Sequence, residues 1–470
     1  MSLLSPPSFL QTGAPMKALV EGPITGGTRG RPFAASTLDI EKLGYEEEEY
    51  LLSGTAAGFH DLDDSFSRRD GLWTVEPAAQ SEYCTRLLVY RPKDPKAFNG
   101  TVVLLWNNVT AGYDLFGADS LELFENGSAL ACLTIQKAGI EGLPPLKQGL
   151  AQWDPDRYGT LSIASDDYSY DIFTQAARTL GPNRDTPIDP VGGLHVKHVI
   201  AQGASQSASR LATYINAIQP IEKVLDGFIL SIYFGQGAPI EVFDAVVNIN
   251  TSGDKISDNL LLGRNVIRDD LGIPIFIVNS ELEAIACYNV RQPDTKTFRY
   301  WESAGTSHTS RQGREKRRQL FERDQIVGRL IEPCVNEIPM GLLYEAVFHH
   351  MQQWVAQDIE PPIQPKIKFS GNPPEIVRDD HGIAVGGIRL PQVDVPVATN
   401  SAVPLTADLI ALLGGSCFAF DAEKIKSLYG DRATFIAQFE AAAENAVRNG
   451  VLRPRDVPEL VAEAELNWPG

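Results

Sequence analysis

Cysteine is scarce in this chain, positive charge is outweighed, and no long apolar run occurs; each shortage excludes a class of protein. The five cysteines (Cys84, Cys132, Cys287, Cys334, Cys417) are scattered and odd in number. They form no CxxC pair and no metal-ligand spacing, so neither a disulfide framework nor a zinc site is indicated. A lone Cys287–Cys334 bridge stays open. Lys and Arg total 41 against 60 Asp and Glu, a formal net charge of −19. Such a surface repels phosphates and argues against nucleic acid and anionic membrane as partners. The excess is read as a solubility device. No stretch approaches the roughly 18 apolar residues of a membrane span. The N-terminus, Met1-Ser2-Leu3-Leu4-Ser5-Pro6-Pro7, lacks the basic and apolar regions of a signal peptide, which makes a cytoplasmic location the default expectation.

What is present is the composition of an ordinary globular protein, 43% hydrophobic and 21% charged, in a chain of 470 residues. That length allows one large core or two smaller ones, and α/β folds often carry long insertions on one core. Residues 1 to about 35 are rich in Gly, Pro and Ser and read as an irregular lead-in. Tyr83 to Tyr90 partly alternates apolar and polar residues, as a strand with one face in water does. Thr101-Val102-Val103-Leu104-Leu105-Trp106 is a continuous apolar run, the mark of a buried strand. Similar runs recur at Ala129 to Ile135, Val196 to Ala201, Gly227 to Tyr233 and Ile273 to Val278. Helical patterns fall between several of them, at Ser169 to Leu180, Ser207 to Ile218 and Ser257 to Asp270. Such alternation predicts a mostly parallel sheet covered on both faces, with ligands at the carboxyl ends of the strands. Further helices are expected at Leu342 to Gln357, Thr406 to Leu413, Ala422 to Leu428 and Ala433 to Asn449. Glu360-Pro361-Pro362 and Pro365 mark a boundary among them. No internal repeat or low-complexity tract is found.

The segment Val196-Lys197-His198-Val199-Ile200-Ala201-Gln202-Gly203-Ala204-Ser205-Gln206-Ser207-Ala208 runs from an apolar strand through Gly-x-Ser-x-small. A helix carrying Leu211, Ile215 and Ile218 follows. Strand, tight turn and helix in that order are the context of a nucleophile elbow, with Ser205 as the nucleophile. Small neighbours (Gly203, Ser207, Ala208) suit the crowded turn, although Ser207 stands where a second glycine is usual. Ser205, Ser207 and Ser209 each also suit a helix cap. A serine needs a base oriented by a third group, and chains built on such an elbow place serine, acid and histidine in that order.

There are seven histidines, and His60, His195 and His198 precede the serine. His349 and His350 lie in an apolar helical stretch and read as packing residues, and His381 lies in a turn. His308, in Gly305-Thr306-Ser307-His308 after the strand-like Thr297 to Trp301, is the expected base. The preceding strand ends in Asn279-Ser280-Glu281-Leu282-Glu283. No aspartate lies there, so the expected acid is a glutamate, Glu283 ahead of Glu281, although either also suits a solvated loop. Backbone N–H groups of Gln206 and of the Asn107 to Gly112 loop, at Asn108, are the candidate oxyanion donors.

Further segments carry a family likeness: Gly22-Pro23-Ile24-Thr25-Gly26-Gly27, Phe98-Asn99-Gly100-Thr101-Val102-Val103, Trp153-Asp154-Pro155-Asp156-Arg157-Tyr158-Gly159 and Asp166-Asp167-Tyr168-Ser169-Tyr170-Asp171-Ile172-Phe173. With the elbow, Ala304 to His308 and Gly386-Gly387-Ile388-Arg389-Leu390-Pro391, they resemble the α/β-hydrolase superfamily, in the branch labelled alpha/beta hydrolase domain-containing protein. The resemblance implies an α/β-hydrolase fold: a mostly parallel central sheet flanked by helices, with a lid insertion and a helical C-terminal extension. It implies the roles of Ser205 and His308, supports a carboxylate at Glu283, and assigns the C-terminal extension to the same domain.

The expected organisation is therefore one domain. Residues 1–100 form an extension with added strands, 101–360 a catalytic core, and 361–470 an extension packed on that core. Residues 234–270 are the candidate lid, with Phe243, Val246, Val247, Ile249, Leu260, Leu261 and Leu262 to line an acyl pocket or simply to pack on the core. Arg311 to Glu332 reads as a solvated helical face, and Gly386 to Val397 as a strand and turn. The expected chemistry is hydrolysis of a small-molecule carboxylic ester through an acyl-enzyme, with no metal or cofactor required. The same triad acting on an amide, lactone or thioester is the alternative, and a non-catalytic binding protein on this fold is a third reading. Oligomeric state is not legible.

Overall fold

The computed structural model describes residues 17–62, 64, 67–115, 120–241, 263–328, 335–404 and 409–469. The apolar runs become the centre of a nine-stranded sheet. In chain order its strands are β1 (Leu19–Glu21), β2 (Tyr45–Asp61), β3 (Val75–Pro92), β4 (Thr101–Trp106), β5 (Ala129–Leu133), β6 (His198–Ala204), β7 (Gly227–Ser231), β8 (Ile275–Asn279) and β9 (Phe298–Glu302). Their spatial order is β1-β2-β3-β5-β4-β6-β7-β8-β9. From β5 to β9 every neighbouring pair is parallel, while β1, β2 and β3 add an antiparallel wing against β5.

Burial on both faces explains why these strands read as unbroken apolar runs. In β4, Val102, Leu104 and Trp106 enter one core while Val103 and Leu105 enter the other, as the two-residue pleat requires. The first core is closed by helices Ser169–Leu180 and Gln206–Thr213, through Phe173, Ala177 and Leu211. The second is closed by helices Met340–Gln357 and Arg432–Arg448, through Leu343, Met351, Phe435 and Phe439. The C-terminal helices thus share a core with the central strands. Among the described residues, no helix is long and apolar enough to cross a membrane.

Several expectations are corrected. The lead-in is not wholly irregular, because Leu19–Glu21 pairs with β2. The acidic run Glu46 to Glu49 lies within the longest stretch of antiparallel pairing, between β2 and β3. Glu49 is fully buried there, bonded to Arg86 (3.2 Å), Arg157 (2.7 Å) and the Tyr158 hydroxyl (2.8 Å). Of the helix expected at Ser257 to Asp270, residues 257–262 lie outside the described residues, and 263–270 are not helical. They form a strap whose backbone bonds to Gly235 and Arg69 carbonyls and to the Asn216 and Gln292 side chains, so tertiary partners replace the helical ladder. Gly386 to Val397 holds isolated bridges and the short helix Pro391–Asp394 rather than a strand; Ile388 bridges Ser303 just past β9. The helix after the elbow widens into a π-helical turn over Tyr214–Ile218. Arg311–Asp324 is helical, but its last residue is buried and accepts from Arg31 and the Ala34 amide (3.1 Å). Cys334 lies outside the described residues, while Cys287 is buried with its thiol donating to the Tyr233 carbonyl (3.1 Å).

Candidate active site

The turn between β6 and α1 (Gln206–Thr213) puts Ser205 at φ 56°, ψ −117°, a left-handed-side backbone that a β-carbon disfavours. The surroundings over-determine it. The Ser205 amide donates to the Ser231 carbonyl of β7 (3.0 Å), and its carbonyl accepts from the Ser209 amide (3.1 Å). A β-carbon on Gly203 would stand 2.8 Å from the Ser207 carbonyl oxygen, so glycine is required there. Ser207 replaces the usual second glycine because its buried hydroxyl clasps the turn, accepting from the Ala204 amide (2.8 Å) and facing the Ala204 carbonyl (2.9 Å). Ser205 itself remains half-buried at the carboxyl edge of the sheet.

His308 follows β9 and both glutamates follow β8, at the same carboxyl edge. Helix α2 (Glu281–Ala286) starts at Ser280, whose hydroxyl accepts from the Leu282 amide (3.2 Å). Glu283, fully buried, closes this capping box by accepting the Ser280 amide on Oε2 (3.1 Å). Its other oxygen, Oε1, lies 2.6 Å from His308 Nδ1. One carboxylate therefore starts the helix and holds the imidazole, and the first task fixes its rotamer for the second. Phe234 stacks against the His308 ring, with centroids 5.3 Å apart and planes inclined by 28°. With Nδ1 on a carboxylate, Nε2 is the nitrogen presented elsewhere. Among the described residues no hydrogen bond joins it to the Ser205 hydroxyl. Glu281 is not at the histidine; it pairs with Arg378 (2.6 Å).

Gln206 opens α1, so its backbone N–H has no acceptor within the helix and lies beside Ser205. The Asn108 side chain donates to the Ala204 carbonyl (3.0 Å) and accepts from the Thr110 amide (2.9 Å), which ties the loop after β4 to the elbow. Sequence reasoning missed the group beneath. The Gln206 side chain donates to Gln136 (2.9 Å), which donates to buried Asp166 (2.8 Å), which also receives Arg210 from α1 (3.3 Å). No local pattern announces such a network, since its members come from three separate segments. Cys287, the nearest thiol along the chain, is held protonated by burial, far above the ordinary thiol range. Among the described residues, no group of three or more His, Cys, Asp and Glu is arranged to hold a metal ion. Phe243, Val246, Val247, Ile249, Leu260, Leu261 and Leu262, the expected lid lining, lie outside the described residues.

Comparison with known proteins adds a family. Solved structures similar to the chain include esterase Est22 (14% identity, 50% of this chain and 68% of that one, TM-score 0.27). Another is brefeldin A esterase, described as a bacterial homologue of human hormone-sensitive lipase (15% identity, 54% and 67%, TM-score 0.26). A third comes from a study of two fungal esterases of Rhizomucor miehei (11% identity, 70% and 95%, TM-score 0.30). No curated protein matches. The model of the alpha/beta hydrolase domain matches residues 20–462, nearly the whole chain, and on that match the chain belongs to the α/β-hydrolase domain family.

Proposed function

We propose that this hydrolase-family chain is a serine esterase that cleaves a small-molecule carboxylic ester through an acyl-enzyme. The observation that carries the reading is the 2.6 Å contact of Glu283 with His308 Nδ1, at the same sheet edge as a strained serine. In this reading His308 Nε2 takes the Ser205 proton as Oγ bonds to the ester carbonyl carbon. The tetrahedral oxyanion is held by the Gln206 N–H and an N–H of the Asn108 loop, while Glu283 stabilises the imidazolium. The carbonyl re-forms, the alcohol leaves with the proton from His308, and the acyl group stays on Ser205. Water, deprotonated by His308, then repeats the sequence and releases the acid. These steps call for no metal or cofactor.

We read the chain as one unit, because its C-terminal helices share a core with the central strands. The test is hydrolysis of p-nitrophenyl acetate by the parent and by Ser205→Ala. Loss of turnover in the variant supports the reading, and retained turnover rejects it.

A further inference from the structure

Two fully buried carboxylates leave the first turn of α2, Glu281 and Glu283. Two residues apart on a helix, they point to different sides. Glu283 faces the His308 ring, whereas Glu281 faces the backbone that delivers it. Glu281 Oε2 accepts the Gly305 amide (2.9 Å), and its own amide donates to the Thr306 hydroxyl (3.3 Å), which donates to the Ser303 carbonyl (2.7 Å). The turn between β9 and His308 is thus fastened, three and two residues before the histidine, to the same helix that carries Glu283. Gly305 has φ 68°, a conformation that glycine adopts without strain, and Asn336 holds its carbonyl from the far side (2.6 Å).

A buried carboxylate needs a counter-charge, and Arg378 supplies it to Oε1 at 2.6 Å, with the Ser401 hydroxyl (3.3 Å) and the Ala402 amide (3.4 Å) as further donors. Arg378 is itself anchored on the Gly382 carbonyl (3.1 Å). Arg378, Ser401 and Ala402 all belong to the C-terminal third, far along the chain from the elbow.

We propose that Glu281 and Arg378 are a positioning pair that sets the His308 loop, so that the C-terminal segment tunes the rate of the site. The proposal rests on the serine-esterase reading above. A merely structural tie would lower the fraction of folded enzyme and leave each folded site as fast as before. A positioning role slows every site, because a displacement near 1 Å of a catalytic group lowers the rate about a hundredfold.

The experiment titrates active sites with a fluorophosphonate and measures p-nitrophenyl acetate hydrolysis per titrated site. For Glu281→Gln and Arg378→Met, kcat is expected to fall about 10- to 100-fold with KM within about threefold, and Arg378→Lys should recover most of the loss. The Arg378 side chain is 26% exposed, and titration counts only folded sites, so its two variants decide the matter should Glu281→Gln not fold. A kcat per titrated site within about twofold of the parent in Arg378→Met, or a rise confined to KM, overturns the proposal. Hydrolysis that survives Ser205→Ala overturns instead the esterase reading on which it rests.

Discussion

Replacing Glu283 by glutamine changes no volume and removes one charge at a known place. The carboxylate lies 2.6 Å from His308 Nδ1 and is fully buried. When the imidazole carries the serine proton, the pair becomes two unit charges about 4 Å apart, worth about 4 kcal/mol at an effective dielectric near 20. Losing that term from the transition state slows the reaction about a thousandfold, and loss of control over the tautomer adds to it. Stability should move far less. The amide oxygen of glutamine still accepts the Ser280 amide of the capping box, so the change is expected within about 1 kcal/mol. The assay is p-nitrophenyl acetate turnover per titrated site, with urea unfolding of the same samples. A Glu283→Gln variant within about tenfold of the parent, or one that loses less than Glu281→Gln, would refute the assignment of Glu283 as the acid.

Two further outcomes follow from burial. Arg86 is the shared counter-charge of Glu49 and Asp114 (3.2 Å each), with all three almost wholly buried. Arg86→Met is expected to destabilise the fold by about 3–5 kcal/mol in urea unfolding, and a loss under about 1 kcal/mol would contradict the pairing. His350 is pushed down by burial from 6.5 to about 4, with its Nε2 2.7 Å from the Gly450 carbonyl. A folded pKa below the unfolded value contributes stability that is full above pH 6.5 and is lost as pH falls toward 4. That contribution is at most about 3 kcal/mol. His350→Gln should therefore flatten the decline of unfolding free energy across this window, and an unchanged slope would refute the reasoning.

Much of the central fold is legible because parallel strands buried on both faces leave continuous apolar runs. The run at 101–106 coincides with β4, and the run at 227–233 contains β7. The acidic start of β2 is opaque for the opposite reason. Glu49 is buried only because Arg86 and Arg157 reach it from distant positions, and no window of sequence holds all three. The strap at 263–270 misleads similarly, since its backbone partners are Gly235, Arg69 and Asn216 rather than its own preceding turn.

At the proposed site, the strand-turn-helix context singles out Ser205 as the candidate nucleophile, and counting histidines leaves His308 as its candidate base. Composition alone does not separate Glu281 from Glu283. The Ser280-x-x-Glu283 spacing carries the missing signal, because a capping box places Glu283 in the first turn with its carboxylate turned back toward the strand end. Arg378, Gln136 and Arg210 have no comparable signature; only the folded sheet brings them to the strand ends.

The central claim is that Ser205 is the nucleophile, and covalent labelling tests it most directly. A fluorophosphonate should add one equivalent to the parent, map to the peptide holding Ser205, and fail to label Ser205→Ala. An adduct on Ser207 or Ser209, or labelling that persists at the parental rate in Ser205→Ala, would contradict the account.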